Sequence, residues 1–298
     1  MRPARALAAG LIGITAALAL SAAVLAAGNR HRTAETADRA LYLRSGATAR
    51  RLWLSWDSLG ADVYWIRAIQ HYGRDRKSAR TADRFELLAP LLDLTTTLDP
   101  QFNIPYRFGA VFLAEPPPSG PGRPDQAVAL LERGLRANPV RWQYAMDVGF
   151  TYYWYTSDFT RAADWFDRAA AMPNAPIWLR QLAANARVQG GDRAGARRVL
   201  SELAGSEEAW VRRAASRGLD QLAALDTIDA LQRRLDAYVA EHHGLPPNWA
   251  ALDPSAPAGA VPVDPTGVPY TFDAVTRRIA LSPKSTLSPL PKSMSPAR

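Results

Sequence analysis

The stretch AVALLERGLRANPVRWQYAMDVGFTYYWYTSDFTRAADWFDRAAAMPNAPIWLRQLAANARVQGGDRAGARRVLSELAG, residues 127–205, repeats itself at a fixed step. Ala127, Ala162 and Ala196 lie 35 and 34 residues apart. Leu131, Phe166 and Leu200 keep the same step, as do Gly134, Ala169 and Leu203, while Pro139 and Pro173 are 34 apart. Self-similarity at a period of about 34 marks stacked helix–turn–helix units. Two helices approach closely only where side chains are small, and bulky residues fill the gaps between pairs. The alternation of alanine or glycine with leucine or phenylalanine follows from that packing.

Outward from this stretch, each unit's first helix carries a related set. The chain gives Tyr106, Gly109-Ala110 and Leu113, then Val148-Gly149 and Tyr152, then Leu179, Leu182-Ala183 and Ala186. This pattern resembles the tetratricopeptide repeat (TPR) family. The fold class expected is all-α: a helical hairpin repeat (TPR-like) solenoid, with three repeats over 103–205 and a degenerate TPR-like hairpin at 51–100. Within 51–100, apolar residues from Leu52 to Tyr72 recur at helical spacing, and a second helix is expected at about 80–98, ending before Pro100. The first unit is 39 residues long, its excess lying in the proline-rich stretch Pro116–Pro124. Pro124 can open a helix, since its missing N–H would have had no partner there. The other two units carry one extra residue in the same turn, and the third closes as Ala204-Gly205-Ser206.

The flanks differ in kind. Residues 207–243 keep a helical apolar series from Trp210 to Val239 and fit capping helices over the last exposed edge of the stack. Residues 246–298 hold eleven of the 23 prolines, so a proline-rich tail with a short β-hairpin is expected there. Val263–Asp273 and Arg277–Leu281 read as turn, strand, turn, strand. The run Asp264-Pro265-Thr266-Gly267-Val268-Pro269-Tyr270 resembles the C-terminal segment of type II secretion pseudopilins, over barely twenty residues and without the pilin cleavage motif.

At the other end, a short tail (1–5) with Arg2 and Arg5 precedes 6–28, which carry no charge and are long enough for a transmembrane anchor. The small residues Ala26 and Ala27 also allow a cleaved signal. Residues 29–50 read as a linker. A short tail before a strong apolar segment predicts export, placing the body in a bacterial periplasm on a single-pass inner-membrane anchor. Arg30, Arg32, Arg39 and Arg44 count the other way and would keep it cytoplasmic.

Chemistry is sparse. The 298-residue chain has no cysteine, which removes thiol nucleophiles and thiolate metal sites. Its net charge of +8 comes from scattered arginines with no basic run, so no nucleic-acid partner is expected. His242 and His243 are adjacent and cannot both face one metal from a helix, and His31 and His71 lack partners at ligand spacing. Gly190–Gly195 lacks a preceding strand and the P-loop lysine, and reads as a turn between helices. No catalytic signature appears; Asp57, Asp62 and Asp220 remain as carboxylates that could converge in an enzyme. No cofactor, metal or small-molecule substrate is expected.

The densest feature is Phe150-Thr151-Tyr152-Tyr153-Trp154-Tyr155. The resemblance implies that first helices line a concave groove. Tyr152 then falls at a packing position. Phe150, Tyr153 and Trp154 fall at groove positions, with Arg107, Gln143, Arg180 and Arg187. Aromatic rings among arginines suit a protein or acidic peptide partner; alternatively, a tightly wound array buries the rings against the proline-rich tail. The expectation is a non-catalytic, membrane-anchored scaffold, with a hint of an envelope, pilus or secretion-type assembly.

Overall fold

The computed structural model describes residues 15–23, 46–53, 55–78, 84–252 and 260–291. The chain is mostly helical. Residues 15–23 are helical and exposed, and the rest of 6–28 lies outside the described residues. Among the described residues no helix is long and apolar enough to cross a membrane. The chain divides into two units, Met1–Pro105 with Pro117–Pro121, and Tyr106–Pro116 with Gly122–Arg298.

The first unit holds α1 (Gly46–Trp53), α2 (Asp57–Lys77) and α3 (Leu88–Leu98). The expected single helix from 51 is broken at Ser55, whose φ of 79° cannot be helical. Trp53 folds back over Gly60, where an added Cβ would sit 2.7 Å from the indole. α3 starts at Leu88, later than the spacing predicts: Phe85 takes a φ of 60°, and its N–H donates to Asp75 Oδ2 at 2.5 Å. Ala61, Tyr64, Ala68 and Tyr72 of α2 meet Leu88, Leu91, Leu92 and Leu98, all buried. Leu52, Trp56, Leu59, Ile66 and Ile69, members of the apolar series read at helical spacing, are exposed. Gly60, Ala61 and Ala68 on the core side of α2 allow the closer helix approach, and Tyr64 and Tyr72 fill the space beside them.

The second unit contains three successive helix pairs: α4 (Asn103–Ala114, in this unit from Tyr106) with α5 (Pro124–Ala137), α6 (Trp142–Thr151) with α7 (Phe159–Ala170), and α8 (Trp178–Gln189) with α9 (Arg193–Ala204). Short connections make neighbouring helices antiparallel. The positions fixed by the repeated step are core: Ala127, Ala162 and Ala196 are each fully buried, as are Leu131 and Ala169, and Phe166, Leu200 and Leu203 nearly so. The glycines mark the tightest crossings. A Cβ on Gly149 would meet the Phe166 ring at 2.6 Å, and one on Gly134 the Tyr106 ring at 3.0 Å. Asp158 and Asp192 cap α7 and α9 by accepting the N–H of Arg161 at 2.9 Å and of Gly195 at 2.8 Å. Gly190 and Gly191 form the turn between α8 and α9.

Tyr152 departs from its expected place. α6 runs into a π-helical turn, Tyr152–Thr156, closed by Ser157 at φ 55°. An i→i+5 closure holds one more residue than an α turn. The rotation leaves Tyr152 half-buried under Arg161 (5.5 Å, guanidinium to ring) and puts Thr151 in the core.

A single long helix, α10 (Ala209–His242), follows. Its first half covers the last pair, with Val211, Ala215, Leu222 and Leu225 on Ala184, Val188, Ala196 and Leu200. Its second half carries the C-terminal segment, with Leu231 and Leu235 on Leu252, Tyr270, Ile279 and Leu287. That segment contains a 3₁₀ turn (Trp249–Ala251) and an antiparallel hairpin of β1 (Thr271–Asp273) and β2 (Arg278–Ala280), with Phe272 opposite Ile279. Gln232 of α10 closes the outer edge of β2, donating to Arg277 O and accepting the Ile279 N–H, each at 3.0 Å.

Candidate interaction groove

α4 and α6 lie side by side because Tyr106 and Tyr144 pack beneath them with their rings tilted by 55°, 5.4 Å between centroids, both fully buried. One position beyond Tyr106, Arg107 reaches Asp147 of α6, with Nε donating to Oδ2 at 2.5 Å and Nη2 to Oδ1 at 3.1 Å. This fork locks the register of the two helices. The hydrogen bond to Asp147 raises the Arg107 pKa, and burial pulls against it. Burial pushes the Asp147 carboxyl up, outweighing the opposing pull of Arg107. Burial also pushes the Tyr144 phenol up to about 12, and its hydroxyl has no hydrogen-bond partner among the described residues.

Above this floor lies a groove of about 170 Å³, with Arg107, Phe108 and Val111 on one wall and Asp147, Phe150 and Trp154 on the other. Phe150 stacks on Trp154 at 4.4 Å, the planes 12° apart, and sets its edge on Phe166 at 5.0 Å. The core thus holds Phe150, and Phe150 holds Trp154, which is 63% exposed. Phe108 and Val111 face it, 56% and 47% exposed. The π-helical turn matters here because it swings Trp154 and Tyr155 to the groove rim.

Of the residues expected in a groove, Arg107, Phe150 and Trp154 come together. The others do not line it. Tyr153 turns to α7 and α8, its ring edge-on to Phe159 at 5.2 Å and its hydroxyl accepting from Gln189 Nε2. Arg187 pairs with Asp167 and lies 3.7 Å from Asp192, joining three helices of the array. Arg180 pairs with Glu202, and Gln143 is half-buried on α6. Phe108 and Val111 were missed; the signal for them was their place immediately either side of the small pair Gly109-Ala110, about one turn apart on the helix face opposite the core.

Elsewhere the side chains build structure. Among the described residues no three histidine, aspartate or glutamate side chains converge as a metal site. His242 stacks on Tyr238 at 4.1 Å, and His243 ends α10 at φ 55°. His71, read as lacking a partner at metal-ligand spacing, sits 3.5 Å from Asp75, one helical turn on. Asp57 and Asp62 lie on α2 and Asp220 on α10. No protein-family model, curated protein or solved structure matches the chain.

Proposed function

We propose that the chain is a non-catalytic, membrane-anchored scaffold of the tetratricopeptide type, and that the groove between α4 and α6 holds a segment of another protein. The reading is supported by one observation above the rest. First helices of successive pairs set Phe108, Val111 and Trp154 outward around one groove, over a floor that is already fully packed. Rings held rigid from below and open above are suited to binding because little side-chain freedom is left to lose. The acidic ligand that the sequence suggests is not favoured: Arg107, Arg180 and Arg187 are each paired with a carboxylate. The partner segment is therefore apolar and close to uncharged, inserting one large side chain. A cavity of about 150 Å³ with apolar walls accepts a benzene-sized group, and this groove is of that order.

The test is affinity selection of a displayed random-peptide library on the full chain. Selected peptides should share an aromatic or large aliphatic anchor, and a Phe108→Ala, Trp154→Ala double variant should lose about tenfold or more in affinity, as for a central anchor. Its helical circular dichroism should stay that of the wild type, since both rings are largely exposed. Acidic peptides that still need Phe108 and Trp154 would keep the groove and overturn the ligand class. Affinity unchanged in the double variant would remove the groove altogether.

A further inference from the structure

The first unit carries a surface that the groove does not explain. At about 100° per residue, α2 turns Gly60, Ala61, Tyr64, Ala68 and Tyr72 inward, and all are buried. Leu59, Val63 and Ile66 fall on the opposite side, with Leu59 49% and Ile66 53% exposed. Trp56 and Leu52 extend this stripe towards α1, 68% and 60% exposed, and Ile69 flanks it. A helix apolar on both faces is at home only between two apolar surroundings, and α3 supplies one.

Charge identifies the other. Arg50 and Arg51 end α1, and Arg74, Arg76 and Lys77 end α2, all of them exposed. Of the acids nearby, Asp62 is exposed at the edge of the stripe, while Asp75 faces inward to His71 and the Phe85 N–H. Leucine, isoleucine and tryptophan along one stripe with basic residues at its ends is the make-up of a helix lying in the interface of an anionic bilayer. A second copy docked on this face would set one basic rim against another, whereas anionic headgroups neutralise it.

We propose that the outward face of α2, with the end of α1, lies on an anionic lipid surface. The contact rests on neither the groove nor the repeat family, and it is separate from any span at 6–28. It would hold the first unit flat on the membrane, a second point of attachment.

The absence of cysteine makes the test direct. Leu59→Cys and Ile66→Cys each place a single thiol on the stripe, and Arg136→Cys places one on α5, at an exposed position. Each full-length variant is labelled with an environment-sensitive fluorophore and reconstituted into vesicles of phosphatidylcholine, with or without phosphatidylglycerol. With phosphatidylglycerol present, emission from positions 59 and 66 should shift to the blue and be quenched by spin-labelled acyl chains. Position 136 should keep a water-like spectrum. Raising salt to about 1 M, where the Debye length falls to about 3 Å, should reverse the shift at 59 and 66 even while the chain still floats with the vesicles. Water-like emission from 59 and 66 in both lipids would overturn the proposal. A blue shift that ignores lipid charge and grows with protein concentration would also overturn it, in favour of a protein neighbour. Flotation of the chain itself after the salt wash reports on the anchor and is read separately.

Discussion

At the scale of single residues, the array depends on where side chains are missing. Gly149 crosses Phe166 so closely that a Cβ would sit 2.6 Å from two ring carbons, and Phe166 is boxed in, 1% exposed with Phe150 on its edge. Gly149→Ala should therefore overpack the α6–α7 crossing and cost about 1–3 kcal/mol, seen as a lower midpoint in thermal denaturation followed by circular dichroism. Gly73 is the control with the opposite sign. Nothing lies within 4 Å of its would-be Cβ, so Gly73→Ala should gain about 0.5–1 kcal/mol by restraining the unfolded chain. Equal stabilisation by both would mean that helix propensity, not the crossing, governs. The crossing residues were legible in the sequence because a repeat shows small positions several times over. The ion pairs were not. Asp147, Asp167 and Glu202 neutralise Arg107, Arg187 and Arg180 from other helices, and nothing in a linear reading says which acid meets which arginine. The arginines therefore read as ligand-seeking when they hold helices together.

At the scale of elements, the aromatic run Phe150–Tyr155 was visible but its form was not. It could have continued α6 or opened into a loop; instead its residues from Tyr152 on are wound into the π-helical turn after α6. The two apolar faces of α2 were illegible for a related reason, since one periodic series cannot say which of its stripes is core. The C-terminal hairpin, by contrast, was read from its turns, and its anchor is Asp264. This carboxylate is 3% exposed and accepts from Thr266 N at 2.8 Å, Val268 N at 3.0 Å and the hydroxyls of Thr266 and Ser285. Burial raises its pKa, yet the Ser285, Thr266 and Val268 bonds outweigh burial and leave it below the ordinary value of 3.8. A carboxyl depressed in the folded state stabilises above its unfolded pKa, and that contribution disappears as pH falls through the lower folded value. Amide exchange at Val268 and Ile279 should thus stay slow at pH about 4 and quicken only in stronger acid. In Asp264→Ala it should be fast already at neutral pH, while α4–α9 keep their protection. Unchanged exchange in the variant would assign the hairpin's order to its contact with α10 alone.

At the scale of the whole molecule, α10 ties repeat and tail together. One helix closes the array with its first half and carries the hairpin with its second, so the described part of the tail, 260–291, belongs to the folded body. A C-terminal fusion after Arg298 should then report where that body lies. The proposed reading puts it outside the cytoplasm, because 6–28 are uncharged and follow only a short tail with two arginines. The four arginines between 30 and 44 argue for the reverse, and the positive-inside rule counts residues that close to a span. The physical question is which comes first in membrane insertion, the pull of the apolar segment or the hold of the charges behind it. Alkaline phosphatase, active only where its disulfides form, should be active on Arg298, and a fluorescent protein that matures only in the cytoplasm should be dark there. Substituting the four arginines by glutamine should leave phosphatase activity unchanged if export dominates. A dark phosphatase that becomes active on that substitution would place the body of the wild-type chain in the cytoplasm, with the same groove serving an adaptor on the inner face of the membrane.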